Sequence, residues 1–190
     1  MDFGTGDGAF AYRTAKQRPN NLVIGTDANP DGLWAISQRA ARKPSRGGLA
    51  NLLFGRLSLQ DAPGELIHIA DAVTVLFPWG TLLQALAIPE AEALRKIAFI
   101  GKPGARVRFL FGYGTGKEPR TMRELKLPPL EDPSVLRQLE LAYADAGLQV
   151  EARYASRKEV SLVESTWAKK LAFSVAARAF VELSGRVGPV

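Results

Sequence analysis

The chain reads as an α/β domain with a mainly parallel sheet covered by helices, and three features of the sequence predict this. Short apolar segments alternate with helical ones, the pattern of strands joined by crossover helices. Near the front, Asp2-Phe3-Gly4-Thr5-Gly6-Asp7-Gly8 sets a carboxylate before three glycines at alternate positions, a backbone that can approach a ligand where a Cβ would not fit. A second carboxylate, Asp27, ends the next strand, the place from which open α/β sheets hold a ribose.

Each element follows from its local pattern. Ala9 to Arg18 can form the helix whose N-terminus faces the glycine turn. Leu22 to Asp27 is a short apolar strand, and Pro30 to Arg42 a helix with proline in its first turn. Gly47-Gly48 ends that region, and Asn51 to Leu57 is the third strand. Ala72 to Phe77, apolar and β-branched, has the composition of a strand buried on both faces. Leu82 to Ala87 and Glu90 to Ile100 have helical spacing, closed by a turn at Lys102-Pro103-Gly104, and Ala105 to Phe111 alternates as a strand. Tyr113 to Leu130 is basic and rich in glycine and proline, hence a mobile surface loop. Ser134 to Ala146 is a helix stopped by Gly147, Leu148 to Tyr154 a strand, and Arg178 to Ser184 the last strand. No repeat, linker or low-complexity segment interrupts residues 1–190, so a single domain is expected.

Composition narrows the function. Hydrophobic residues at 46% and charged residues at 23% describe a soluble globular protein. No apolar run approaches the ~18 residues of a membrane span, and no basic region followed by an apolar run opens the chain. Neither a membrane partner nor a signal peptide is expected, and the expected location is cytoplasmic. Without cysteine there is no disulfide or thiolate metal site. The one histidine, His68, gives no basis for a histidine metal centre or triad and is assigned a structural role. The net charge of +6 favours a polyanionic partner. Arg39, Arg42, Lys43 and Arg46 form one basic cluster, and Lys169 and Lys170 adjoin Trp167. Trp34, inside the helix after Asp27, is expected to pack.

The spacing D-x-G-x-G-x-G resembles the first motif of class I S-adenosylmethionine methyltransferases. A nicotinamide cofactor is the competing reading. It lacks its G-x-G-x-x-G spacing here, and no evident proton donor serves a carbonyl substrate. Further motifs are more specific. Lys43-Pro44 with Gly47-Gly48-Leu49-Ala50-Asn51-Leu52-Leu53, then Phe77-Pro78-Trp79-Gly80-Thr81-Leu82-Leu83, and finally Glu164-Ser165-Thr166-Trp167-Ala168-Lys169-Lys170-Leu171 follow the glycine motif in order. Together they resemble the Kam-type aminoglycoside-resistance methyltransferases, which methylate N1 of adenine 1408 in the decoding site of 16S ribosomal RNA.

That resemblance implies a Rossmann-like class I methyltransferase fold with an antiparallel last strand, and S-adenosyl-L-methionine as cofactor. It assigns Asp2, Gly4, Gly6, Asp27, Ala28, Leu76, Thr81 and Ser165 to the cofactor site. Gln60 stands where relatives tend to carry an acidic residue, and its amide can still donate and accept. Trp79 and Trp167 are assigned to stacking on the target base, which must leave its stack before its Watson–Crick edge can react. Arg39, Arg42, Lys43, Arg46, Lys169 and Lys170 fall to RNA binding, with the 30S subunit and its 16S rRNA as partner, a monomeric protein and no metal. Adenine N1 has an in-plane lone pair, so no general base is required and catalysis rests on placement. Relatives carry a strand ahead of the glycine motif, whereas only Met1 precedes Asp2, so a truncated central strand, missing or rebuilt, is expected. The alternatives are a methyltransferase of another RNA, such as one resembling the transfer-RNA guanine-N7 enzymes, and a non-catalytic RNA-binding relative.

Overall fold

The computed structural model describes residues 1–114, 119–172 and 178–189. Seven strands form one sheet: β1 (Asp2–Phe3), β2 (Val23–Asp27), β3 (Leu52–Arg56), β4 (Ala70–Leu76), β5 (Gly101–Tyr113), β6 (Leu148–Tyr154) and β7 (Ala179–Val187). Their order is β3-β2-β1-β4-β5-β7-β6. The first five run parallel, and β7 lies antiparallel between β5 and β6. From β1 the chain moves outward one way through β2 and β3, then returns to the other side of β1 at β4. The carboxyl ends of β1 and β4 therefore open on the crevice where such sheets take ligands.

The strand expected to be missing or rebuilt is present as the two residues of β1. Asp2 and Phe3 pair with Gly25 and Thr26 on one side and with Thr74 and Val75 on the other. The Met1 ammonium donates to the Ala72 carbonyl at 2.7 Å, and the Met1 carbonyl accepts from the Thr74 amide. Met1 thus continues the β4 pairing beyond the two strand residues.

Alternation along the strands sorts the helices onto two faces. Val73 and Val75 of β4, Val107, Phe109 and Phe111 of β5, and Val181 and Leu183 of β7 face one core. They pack there with α3 (Gly80–Ala87), α4 (Ala91–Ile100) and α6 (Ser134–Asp145). On the other face, Leu76, Leu110 and Phe180 meet α7 (Arg157–Leu162) and α8 (Thr166–Ala172). Ala11, Tyr12 and Ala15 of α1 (Ala9–Gln17) pack with Leu52, and Ile36 of α2 (Trp34–Ala40) joins them.

Several expectations need correction. The helix over Pro30 to Arg42 is a 3₁₀ turn, Pro30–Leu33, followed by α2; the Asn29 side chain accepts from the Asp31 amide at the start of the turn. The turn at Lys102-Pro103-Gly104 lies within β5 as an irregularity, because Ala70 pairs with Gly101 but Ala72 with Arg106. The segment read as a surface loop holds α5 (Pro119–Glu124), and Met122, Leu127 and Leu130 are buried in the main core. Its residues 115–118 lie outside the described residues. Trp34 does not pack: it is 72% exposed. His68 carries a backbone role, with φ +53 and its amide donating to Phe99.

A buried carboxylate ties the β5–β7–β6 corner together. Glu182 of β7 accepts from Arg108 Nε at 2.7 Å and from the Arg153 guanidinium, and Arg153 reaches on to Glu159 of α7 at 2.6 Å. Glu159 also closes a capping box with Ser156 at the start of α7. Glu182→Ala should take the carboxylate partner from Arg108, leave Arg153 with Glu159 alone, and lower stability by about 2 kcal/mol. Thermal melting should then drop by about 4–8 °C; an unchanged midpoint would show that water replaces Glu182 without cost.

Candidate functional site

The crevice is built from short residues and backbone. Gly4, Gly6 and Gly8 have φ of +66°, +61° and +70°, a run of left-handed conformations that residues with a Cβ adopt only under strain. The turn is held from three sides. Thr5 donates its amide to Thr26, and its hydroxyl to Asp2 Oδ2 at 2.6 Å. Gly6 donates its amide to Asp27 Oδ2 at 2.8 Å. A Cβ on Gly4 would stand 2.8 Å from Leu82, so α3 packs directly on the turn.

The two carboxylates differ in environment. Asp2 is 4% exposed, and accepts from Thr5 on one oxygen and from Thr74 Oγ1 of β4 on the other, both at 2.6 Å. Burial pushes its carboxyl above the usual carboxylate range, and the two hydroxyls and the Met1 ammonium pull it back only in part. Asp27 is half-buried and accepts from Gly6 on one oxygen and from the Asn29 amide on the other, at 3.0 Å. A carboxylate offers about four acceptor positions, so each Asp27 oxygen keeps one free for a pair of vicinal hydroxyls. Ala28 follows it at the exposed mouth. A cofactor with a ribose and a flexible amino-acid arm fits these groups: Asp27 for the diol, and the glycine turn, which no Cβ narrows, for the arm.

Across the crevice, the end of β4 is strained. Phe77 is buried with φ +53°, a conformation that costs a residue with a Cβ about 1–2 kcal/mol. Its amide donates to Leu110, which fixes the kink and projects Pro78, Trp79 and Gly80 over the sheet. Trp79 stands directly before α3, with Thr81 exposed in that helix's first turn. Leu76 is buried among the α7–α8 contacts, which take up its side chain.

Trp167 comes from α8, whose start is capped by Ser165: its Oγ accepts from the Ala168 amide at 3.4 Å. Glu164 is held by Gln17 of α1 at 2.7 Å. The indole lies against the glycine turn, since a Cβ on Gly6 would be 3.7 Å from its Cδ1 and Nε1. Trp79 and Trp167, each 39% exposed, touch each other with ring centroids 5.9 Å apart and planes inclined by 55°. Lys170 Nζ stands 5.0 Å from the Trp167 ring, and Lys169 is exposed beside it.

Two further groups of assigned residues make contacts outside the glycine turn and the tryptophan pair. Gln60 is exposed on the turn after β3, where its carbonyl accepts from Lys96. In the basic cluster, Arg39 stacks on Tyr12 with its guanidinium 4.7 Å from the ring centre, while Arg42, Lys43 and Arg46 line an open recess of about 360 Å³. Sequence reasoning missed Thr5, Thr74 and Tyr12, which act through partners remote in the chain. It also missed α7, whose signal is legible as Ser156-x-x-Glu159 ahead of Val160.

A model of the family described as NpmA, 16S rRNA (adenine(1408)-N(1))-methyltransferase, matches residues 1–186. An Escherichia coli protein named 16S rRNA (adenine(1408)-N(1))-methyltransferase is 34% identical over 189 residues, covering 98% of this chain and 86% of the relative. A protein of the same name from Streptoalloteichus hindustanus is 32% identical over 191 residues, covering 100% and 87%. Among solved structures, the 16S rRNA methyltransferase KamB superposes with a TM-score of 0.86 at 32% identity, over 99% of this chain and 86% of its own. A variant of the Catenulisporales acidiphilia enzyme with the cosubstrate SAM does so with a TM-score of 0.86 at 32% identity, over 99% and 84%.

The Asp2 environment makes a pH prediction. Its carboxyl is raised from the ordinary 3.8, so the folded chain holds this proton more tightly than the unfolded one. Its contribution to stability is full below that ordinary value and is lost as pH rises through the folded one. Asp2→Asn should therefore gain on the wild type as pH is raised from about 4 to 7. Denaturant melts of both proteins across that range measure it; a constant difference would contradict the assignment.

Proposed function

The chain belongs to the NpmA family of 16S rRNA (adenine(1408)-N(1))-methyltransferases, and we propose that it methylates N1 of that adenine in the 30S decoding site, with S-adenosylmethionine as methyl donor, and so confers aminoglycoside resistance. The observation that carries this reading is the contact of the glycine turn with the aromatic pair. Gly6 donates to Asp27 on one side and lies against Trp167 on the other. A ligand held by Asp27 and the turn thus ends beside the surface on which a base stacks.

Asp27 holds the ribose, and the backbone of Gly4 and Gly6 lies along the amino-acid arm, with Asp2 ordering the turn beneath it. Ala28, Leu76 (through its backbone), Thr81, Ser165 and Gln60 complete the cofactor surroundings. The cofactor supplies a methyl group activated by its own sulfonium charge. Trp79 and Trp167 hold the extruded adenine so that the N1 lone pair points along the line of transfer. Held by Asp27 and the glycine turn, the cofactor would supply that methyl group to the N1 lone pair, and its positive charge would pass to the base. No side chain need remove a proton from N1, which fits a crevice whose carboxylates are committed to backbone and hydroxyl donors. Arg39, Arg42, Lys43, Arg46, Lys169 and Lys170 meet phosphates of the subunit, and the protein works as a cytoplasmic monomer. Methylation of purified 30S subunits followed by reverse transcription tests the whole reading, because a methyl group on N1 blocks base pairing and stops the polymerase there.

Asp27→Ala should weaken binding of S-adenosylmethionine and its demethylated product by roughly 1–3 kcal/mol, the worth of a hydrogen bond to a charged acceptor. Equal affinities by calorimetry would remove Asp27 from the cofactor site. Alanine at Trp79 or Trp167 should depress single-turnover methylation far more than 30S binding, because the footprint spreads over many phosphates while N1 placement depends on two rings. Phenylalanine should retain part of the rate. Near-normal methylation by a folded alanine variant would end the stacking model.

A further inference from the structure

We propose that Tyr12 of α1 is a positioning residue for the docking of ribosomal RNA: it holds the turn at Lys43–Gly48 against the helix that starts from the glycine turn, and so sets where the RNA lies relative to the methyl donor. This rests on the ribosomal reading above. Tyr12 is 6% exposed, and its amide donates to the Gly8 carbonyl at 2.9 Å, which places it one helical turn from the glycine motif. Its hydroxyl donates to the Gly47 carbonyl at 2.6 Å. Gly47 has φ +85°, and a Cβ there would stand 2.9 Å from the Tyr12 hydroxyl and 3.1 Å from Arg39 Nε, so the turn closes directly on this pair. Glycine meets both demands, the left-handed backbone and the close approach. Beyond the turn, Asn51 Nδ2 lies 3.0, 3.2 and 2.9 Å from the carbonyls of Ala15, Arg18 and Asn21, and pins the segment again at the far end of α1.

The chemistry of this strut suits a segment that must keep its charge. Arg39, Arg42, Lys43 and Arg46 repel one another, and a carboxylate that held them together would also take up the charge that phosphates are to meet. None of the ion pairs among the described residues involves these four. Tyr12 instead offers a neutral hydroxyl to the backbone and a ring face to the Arg39 guanidinium, 4.7 Å from its centre, so the segment is held with its four charges intact. Within the turn, Arg46 and Gly48 donate to the Lys43 carbonyl at 2.8 and 3.1 Å, and Gly47 to that of Pro44 at 3.0 Å. Those bonds fix the shape of the turn, and the bonds to α1 give it a place. A segment ordered before contact loses less freedom on binding, and α1 carries a fixed distance from it to the glycine turn.

Tyr12→Phe tests this, because it deletes the hydroxyl and keeps the ring. Peptides covering residues 43–49 should exchange their amide hydrogens faster than in the wild type, while β2 and β4 keep their protection. Binding to 30S subunits should weaken by about three- to tenfold, with a shallower dependence on salt because fewer phosphates are met at once. The loss should appear in KM for the subunit rather than in kcat, and cofactor affinity should not change. Tyr12→Leu, which also takes the ring face from Arg39, should lose more in exchange protection and in 30S affinity. A tyrosine that serves stability alone would move only the melting temperature. Unchanged exchange at 43–49, wild-type 30S affinity and salt slope in a folded Tyr12→Phe, or a loss confined to kcat would each overturn the proposal. Wild-type protein is the reference: if it methylates 30S subunits and Tyr12→Phe matches it, only the strut fails. A wild type that neither binds nor methylates them ends the ribosomal reading, and the docking role of the strut with it.

Discussion

A buried carboxylate at the point where strand order reverses governs the geometry of this molecule. Asp2 has almost no contact with solvent, and ionised carboxylates removed from water cost several kcal/mol unless donors replace the lost hydration. Thr5 and Thr74 supply those donors from opposite sides, one in the glycine turn and one in β4. Satisfying Asp2 therefore fixes the turn against the neighbouring strand although β1 has only two residues. Gly6 then lies within reach of Asp27, Leu82 closes over Gly4, and α3 sits where Trp79 can lean across the crevice.

The second half of the site hangs on the other end of the sheet. Glu182, Arg108, Arg153 and Glu159 link β5, β7 and β6 to α7, and α7 leads into the capped start of α8 that carries Trp167. Two polar clusters, one on each side of β4, thus set the positions of the two tryptophans. Phe77 stands between them, its left-handed backbone held by Leu110 and its ring packed on Phe180. Strain of this kind survives only where the surroundings over-determine it.

Much of this was legible in the sequence. The strands around AVTVLF and VRFLF announce themselves by β-branched and aromatic runs, and Asp2, Gly4, Gly6 and Asp27 by spacing alone. Sequence reasoning failed where tertiary contacts outweigh local pattern. The glycine- and proline-rich stretch after Tyr113 looked solvated, yet Met122, Leu127 and Leu130 are drawn into the core. Trp34 has the helical context of a packing residue, but Leu33 and Ile36 take the inward positions and leave it outside. The bulge in β5 could not be foreseen, because it is set by the register of β4.

Under the stacking proposal, the contact within the tryptophan pair is what the target base has to displace. Stacked rings sit at carbon–carbon contact, about 3.5–4.0 Å, so a base lying directly between two parallel rings needs their planes about 7–8 Å apart. Trp79 and Trp167 are separated by 5.9 Å, and Lys170 covers a face of Trp167. Opening the pair forfeits about 0.5–1.5 kcal/mol of ring contact, and moving Lys170 about 0.5–1 kcal/mol. Two base–indole stacks would return roughly 1–3 kcal/mol each, so on the stacking proposal the exchange favours the base once it has left the helix. In that proposal the indole face that attracts an ammonium would also attract the positive charge growing on adenine as the methyl group arrives. That attraction is stronger in the transition state than for neutral adenine, and only such a difference accelerates the transfer itself.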